Sequence, residues 1–191
     1  MLLSLGRFDE AIREAKAGRD LDPLAPVQNS NVAFAFRAAG RSDEAIEWCR
    51  KTLAMDPNFM RARYILGMAY EQKKMNSEAV AELEAARRLS DNGSLYVASL
   101  GHAYAAAGRT ADARRCLEDL NAMARRRFVG SDSIALVHAG LGEREEALSL
   151  LEKAGEERDV EVMNIGYESR WGPLRSDPRF EDLLKRLHLK S

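Results

Sequence analysis

The chain has 191 residues, 46% hydrophobic and 31% charged, with a formal net charge of −1. That balance argues against a protein whose main work is electrostatic attraction to nucleic acid or lipid, and no uninterrupted apolar run approaches the length that crosses a bilayer. Cys49 and Cys116 lie in predicted helices without metal-ligand spacing, which points to buried, reduced thiols and a cytoplasmic compartment.

Alanine recurs with a step of 34 at Ala11, Ala45, Ala79, Ala113 and Ala147. A second series, Gly6, Gly40, Lys74, Gly108 and Gly142, keeps the same step and loses glycine once. Gly67 with Gly101, Tyr70 with Tyr104, and Asp22-Pro23 with Asp56-Pro57 share it. A fixed period of this length predicts stacked two-helix units. The glycine series suits the bend within each pair, because glycine takes positive φ without penalty. Gly67 and Ala79 are expected at the closest crossing of one pair, with Leu66, Tyr70 and Leu83 filling the rest of the seam.

Residues 1–25 read as a half repeat, a second helix with Phe8, Ala11, Ile12 and Ala15 as its apolar stripe. Such a helix is expected either as an unusual cap or as the continuation of a longer protein. Full repeats follow at 26–59, 60–93, 94–127 and 128–161. Pro26 suits a first helical turn, with Val32, Ala33 and Phe36 as packing residues. Ser42, Asn76 or Ser77, and Thr110 are the expected caps of the second helices. The fifth repeat departs most: Ile134, Ala135 and His138 stand where Leu, Gly and Tyr stand earlier. A short helix is expected over Val160–Ile165 and a packed turn over residues 171–174. Residues 162–191 end in a capping helix, started by Asp177-Pro178 and striped by Phe180, Leu183, Leu184 and Leu187.

With Leu66-Gly67, Tyr70, Ala79 and Ala86 in one repeat and Leu100-Gly101, Tyr104, Gly108 and Ala113 in the next, the chain resembles a tetratricopeptide repeat protein. The resemblance implies an all-α fold, a right-handed α-α superhelix forming one solenoid over residues 1–191 with a C-terminal capping helix. Residues 139–147, 151–154 and 174–180 resemble the end of bacterial multidomain signalling and transcriptional regulators, in which such repeats follow an effector domain.

The resemblance further implies an inner wall made by first helices. Carried onto this chain, its positions are Val27, Ser30, Phe34, Arg37 and Ala38, then Arg61, Tyr64, Met68, Glu71 and Gln72. The later repeats contribute Leu95, Ala98, His102, Ala105 and Ala106, then Val129, Asp132, Leu136, Ala139 and Gly140. The wall is largely apolar with few charges, and suits a peptide or partner helix with apolar anchors and an acidic group. Phe34, Arg37, Arg61, Tyr64, Met68, Glu71 and His102 are the candidate groove residues; some are expected only to pack between repeats.

Other readings are weaker. Asn31 and Arg61 match two positions of a clamp for a chaperone's C-terminal carboxylate, but Ile65 replaces its last basic residue. Arg125-Arg126-Arg127, with Arg114 and Arg115, reads as a solvated helix end diluted by nearby acids, not a nucleic-acid site. His102 and His138 lack a carboxylate cluster that would complete a metal set. No cofactor, catalytic site or membrane partner is expected. Self-association, through Phe8 and Ile12 or through Trp171 and Phe180, is the main alternative to peptide binding.

Overall fold

The computed structural model describes residues 2–91, 93–157 and 164–189. The short helix expected over Val160–Ile165 lies for the most part outside them. The described residues are all-α, and the chain divides into two compact units, 1–92 and 93–191.

The first unit contains α1 (Phe8–Leu21), α2 (Pro26–Ala38), α3 (Ser42–Met55), α4 (Met60–Gln72) and α5 (Asn76–Leu89). Helix α2 packs on α1, α3 and α4, and α4 packs on α3 and α5. The small residues of the ladder decide how closely the pairs approach. Ala45 and Ala79 are fully buried. A Cβ added at Gly67 would lie 2.6 Å from Leu83 Cγ and 3.2 Å from the Ala79 carbonyl. The expected crossing of Gly67 with Ala79 is therefore present, and Leu83 closes it.

The bend between paired helices has one backbone form. Gly40 has φ +74°, its N–H donates to the Arg37 carbonyl at 2.9 Å, and Arg41 N–H donates to the Phe36 carbonyl at 2.9 Å. This is a helix end closed by a left-handed residue, which satisfies carbonyls that the helix leaves open. Gly6, Gly108 and Gly142 are also left-handed. Lys74 holds the same conformation with φ +58°, so the turn survives the one loss of glycine.

The expected caps are displaced by one residue. Ser42, Asn76 and Thr110 are first residues of helices, with Ser77 second, and the cap positions belong to Arg41, Met75 and Arg109 without any side-chain cap. The residue whose N–H closes the turn leads straight into the next helix, one place ahead of the hydroxyl or amide. Arginine at this place reaches forward instead. Arg7 Nε donates to Glu10 Oε1 at 2.7 Å, Arg41 Nε to Glu44 Oε1 at 2.7 Å, and Arg109 Nε to Asp112 Oδ2 at 2.8 Å. Each holds an acid over the free amides of the first turn, where negative charge is favoured.

The second unit contains α6 (Ser94–Ala106), α7 (Thr110–Ala124), α8 (Ser131–Leu141), α9 (Arg144–Glu156), a 3₁₀ helix over Ser169–Leu174 and α10 (Pro178–Arg186). Helix α6 packs on α7 and α8, and α8 on α7, α9 and the 3₁₀ helix. A Cβ at Gly101 would meet Val137 Cγ2 of α8 at 2.8 Å and Cys116 Cβ of α7 at 2.9 Å, so this glycine admits the next first helix as well as its own partner. Helices α2, α4 and α6 start at 26, 60 and 94, but α8 starts at 131, three residues late. Its turn residue Gly142 stays in register, so the lost residues come from the first turn. Arg125 to Gly130 form an open loop there.

Asp177 caps α10 as expected, its Oδ1 accepting from Arg179 N–H at 3.0 Å. Phe180, Leu183 and Leu184 are buried, each contributing about 1.5–3 kcal/mol of transfer free energy. Helix α10 packs on α9, and a Cβ at Gly155 would reach Leu183 Cδ1 at 3.0 Å. The packed turn carries Trp171 and Leu174 into the same core. The aromatic surface suggested for self-association at Trp171 and Phe180 is interior, because these rings seal the last helix pair.

Candidate peptide-binding wall

Helices α2 and α4 pack side by side as first helices of consecutive repeats. Phe34 of α2 is half-buried, with the guanidinium carbon of Arg37 5.3 Å and that of Arg61 5.9 Å from its ring centroid. Cations at this range are attracted to the ring face. Arg61 therefore faces the neighbouring first helix. Arg63 turns the other way: Nη1 donates to Glu82 Oε2 at 2.8 Å, and Nε and Nη2 donate to the Pro57 carbonyl at 3.0 and 2.7 Å. Alternation along α4 thus separates one arginine for the wall from one that ties its helix pair together.

The candidates differ in what they offer. Arg37 is 1% exposed and Met68 2%, with Tyr64 at 8%. Phe34, Arg61 and Glu71 are partly open. Arg37, Met68 and Tyr64 are therefore packing residues, while Phe34, Arg61 and Glu71 form the accessible part of the candidate wall. Gln72 fastens the end of the wall: its Nε2 donates to the Arg37 carbonyl at 3.2 Å, and its Oε1 accepts from Ser42 Oγ at 2.9 Å. Ser42 thus buttresses the wall instead of capping its helix.

His102 belongs to the second unit, on α6. It is half-buried against α8, where a Cβ at Gly140 would come within 3.0 Å of its Cδ2. His138 is engaged elsewhere. Its Nδ1 lies 2.6 Å from Glu143 Oε2, and Arg114 Nη2 donates to Glu143 Oε1 at 2.7 Å. A carboxylate only accepts, so Nδ1 carries the proton. Burial pushes the Glu143 carboxyl up, but the hydrogen bonds from His138 and Arg114 outweigh it and leave its pKa below the ordinary value. His138 also borders an open depression of about 360 Å³ lined by Glu145, Glu146, Ser149 and Leu150.

No three metal-ligating side chains gather among the described residues, and no described helix is long and apolar enough to cross a membrane. Cys49 and Cys116 are free and buried; desolvation, then the charge of Glu82, pushes the Cys49 thiol well above its ordinary pKa. The surface feature that sequence reasoning missed is Phe128, 75% exposed beside three exposed arginines. Its adjacency to the arginine run was the available signal.

Two family models described as tetratricopeptide repeat match the chain, one at residues 2–58 and 35–94 and the other at 96–119 and 135–153. No curated protein matches. Among solved structures, the thermophilic TPR protein TTC0263 of Thermus thermophilus superposes with a TM-score of 0.66 at 21% identity, over 86% of this chain and 91% of that one. MamA gives 0.54 at 26% identity, over 82% and 92%. YrrB, described as a TPR protein with an unusual peptide-binding site, gives 0.50 at 18% identity, over 90% and 89%. The all-α helix pairs, the left-handed turn of each repeat and the matched models agree: the chain belongs to the tetratricopeptide repeat family.

Proposed function

We propose that this protein is a non-catalytic scaffold whose α2–α4 wall receives a peptide or partner helix. The observation that carries this reading is the partly open Phe34 ring with the buried Arg37 guanidinium carbon 5.3 Å and that of the more open Arg61 5.9 Å from its centroid. An apolar anchor from a partner would pack on Phe34, and an acidic group would meet Arg61. The buried Arg37 and Met68 keep that surface rigid, which lowers the entropy lost on binding. The peptide-binding site named for YrrB is a precedent in the same fold. In a bacterial signalling or regulatory protein, this wall would bring a partner to an effector domain.

Selection from a displayed peptide library tests the reading. Wild-type protein is expected to enrich peptides with an apolar anchor near an acidic residue, and a Phe34→Ala/Arg61→Ala variant of unchanged helicity is expected to lose them. Equal enrichment by both proteins would refute the assignment. Self-association is the second reading, favoured by exposed Leu21, Leu24 and Val27 around the start of α2. A monomer mass over a wide concentration range would exclude it.

A further inference from the structure

The loop between α7 and α8 lies in the other unit. Arg125, Arg126 and Arg127 are exposed, and Phe128 beside them is 75% exposed. Four other arginines of this unit are held by acids. Arg109 and Arg115 both hold Asp112, Arg114 holds Glu143, and Arg179 holds Glu152. Arg125 and Arg126 form no ion pair among the described residues. The loop is longer than its counterparts because α8 starts three residues late, which frees Phe128 and the two residues after it from the first turn that α2, α4 and α6 keep helical.

We propose that this loop docks an acidic segment of a partner protein, with two or more carboxylates flanking one apolar side chain. The carboxylates would take the forked guanidinium groups, whose geometry suits bidentate pairing, and the apolar side chain would cover Phe128. A narrow segment fits better than a broad anionic surface. Ser131, the first residue of α8, holds Glu157 through Oγ to Oε2 at 3.0 Å, and Asp132 follows it. A bilayer or duplex laid over the loop would meet these acids as well as the arginines. Phe128 has no exposed aromatic companion in the loop, so bases have no stacking platform. This surface is independent of the α2–α4 wall and does not rest on its assignment.

The test is peptide-library selection on the full chain, repeated with Arg125→Glu/Arg126→Glu and with Phe128→Ser, exposed substitutions expected to leave the thermal transition unchanged. Peptides enriched by the wild type and lost by the charge variant should be acidic around one apolar residue. Their affinity should fall about tenfold or more in the charge variant and weaken with salt. It should fall in Phe128→Ser and stay unchanged in Phe34→Ala/Arg61→Ala. The proposal is overturned if no peptide depends on the loop, or if the dependent peptides carry no acidic excess. It is also overturned if phosphatidylserine vesicles or single-stranded oligonucleotide bind more tightly than the selected peptides in the same loop-dependent way.

Discussion

The Arg109 guanidinium carbon lies 4.3 Å from the centroid of the Tyr104 ring, and Arg109 N–H donates to the Tyr104 carbonyl at 2.8 Å. The same two places 68 residues earlier hold Phe36 and Arg41, with 4.6 Å from guanidinium carbon to ring centroid and 2.9 Å in the backbone bond. In the third repeat they are Tyr70 and Met75, joined at 2.9 Å. In the fifth they are His138 and Glu143, joined at 3.0 Å in the backbone and by a side-chain hydrogen bond at 2.6 Å. One turn is kept through the ladder while its side-chain pair changes chemistry.

That relationship predicts how Arg109 can be replaced. Arg109→Ala removes the stacking group and should cost about 0.5–1 kcal/mol, the range for a partly exposed cation on a ring. Arg109→Met installs the residue of the third repeat, and sulfur on the ring edge should restore part of the loss. Urea unfolding of the two variants checks this; equal destabilisation would show that the stacked pair is not the source.

Lys74 holds a left-handed backbone that glycine holds at Gly40, Gly108 and Gly142. A side chain in that region costs about 1 kcal/mol, and glycine removes it with a partial offset from greater freedom in the unfolded chain. Lys74→Gly is therefore expected to stabilise the protein slightly, by a few tenths to about 1 kcal/mol. Gly108→Ala should act in the opposite sense. Thermal melts of both variants measure the pair of signs.

At Gly67 an added methyl would meet Leu83, itself fully buried, at 2.6 Å. Alanine gains about 1 kcal/mol in helix propensity over glycine, but forcing the seam apart costs about 1–3 kcal/mol. Gly67→Ala should thus be neutral to destabilising, although the position is mid-helix. Combining it with Leu83→Ala should cost less than the sum of the two, since each relieves the other. Strict additivity in a double-mutant cycle would contradict the contact.

Arg179 fastens α10 to α9 through Glu152, with Nε to Oε1 at 3.0 Å and Nη2 to Oε2 at 2.7 Å. The hydrogen bonds from Arg179 hold the Glu152 carboxyl below its ordinary value of 4.5, against a smaller opposing push from desolvation. A carboxyl depressed in the folded state contributes stability that is complete above its unfolded pKa and lost as pH falls through its folded pKa. Glu152→Gln should therefore lower the melting temperature at neutral pH, and the gap to the wild type should close on acidification below that window. A gap that persisted at about pH 2, where carboxylates are protonated, would assign the effect to packing.

The sequence by itself determined the helix pairs, the positions of their turns, the small-residue crossing of Gly67 with Ala79, and the start of α10 at Asp177. These are local or periodic properties: a left-handed bend, a missing side chain and a capping oxygen act within a few residues of chain or recur at a constant step. Only the tertiary structure decided that Arg37, Met68 and Tyr64 are packing residues while Phe34 and Arg61 stay accessible, that Ser42 braces Gln72, that Trp171 and Phe180 are interior, and that Phe128 is exposed. The angular position of a side chain on one helix says which way it points. What meets it there depends on the neighbouring helix, and that is a property of the packed pair.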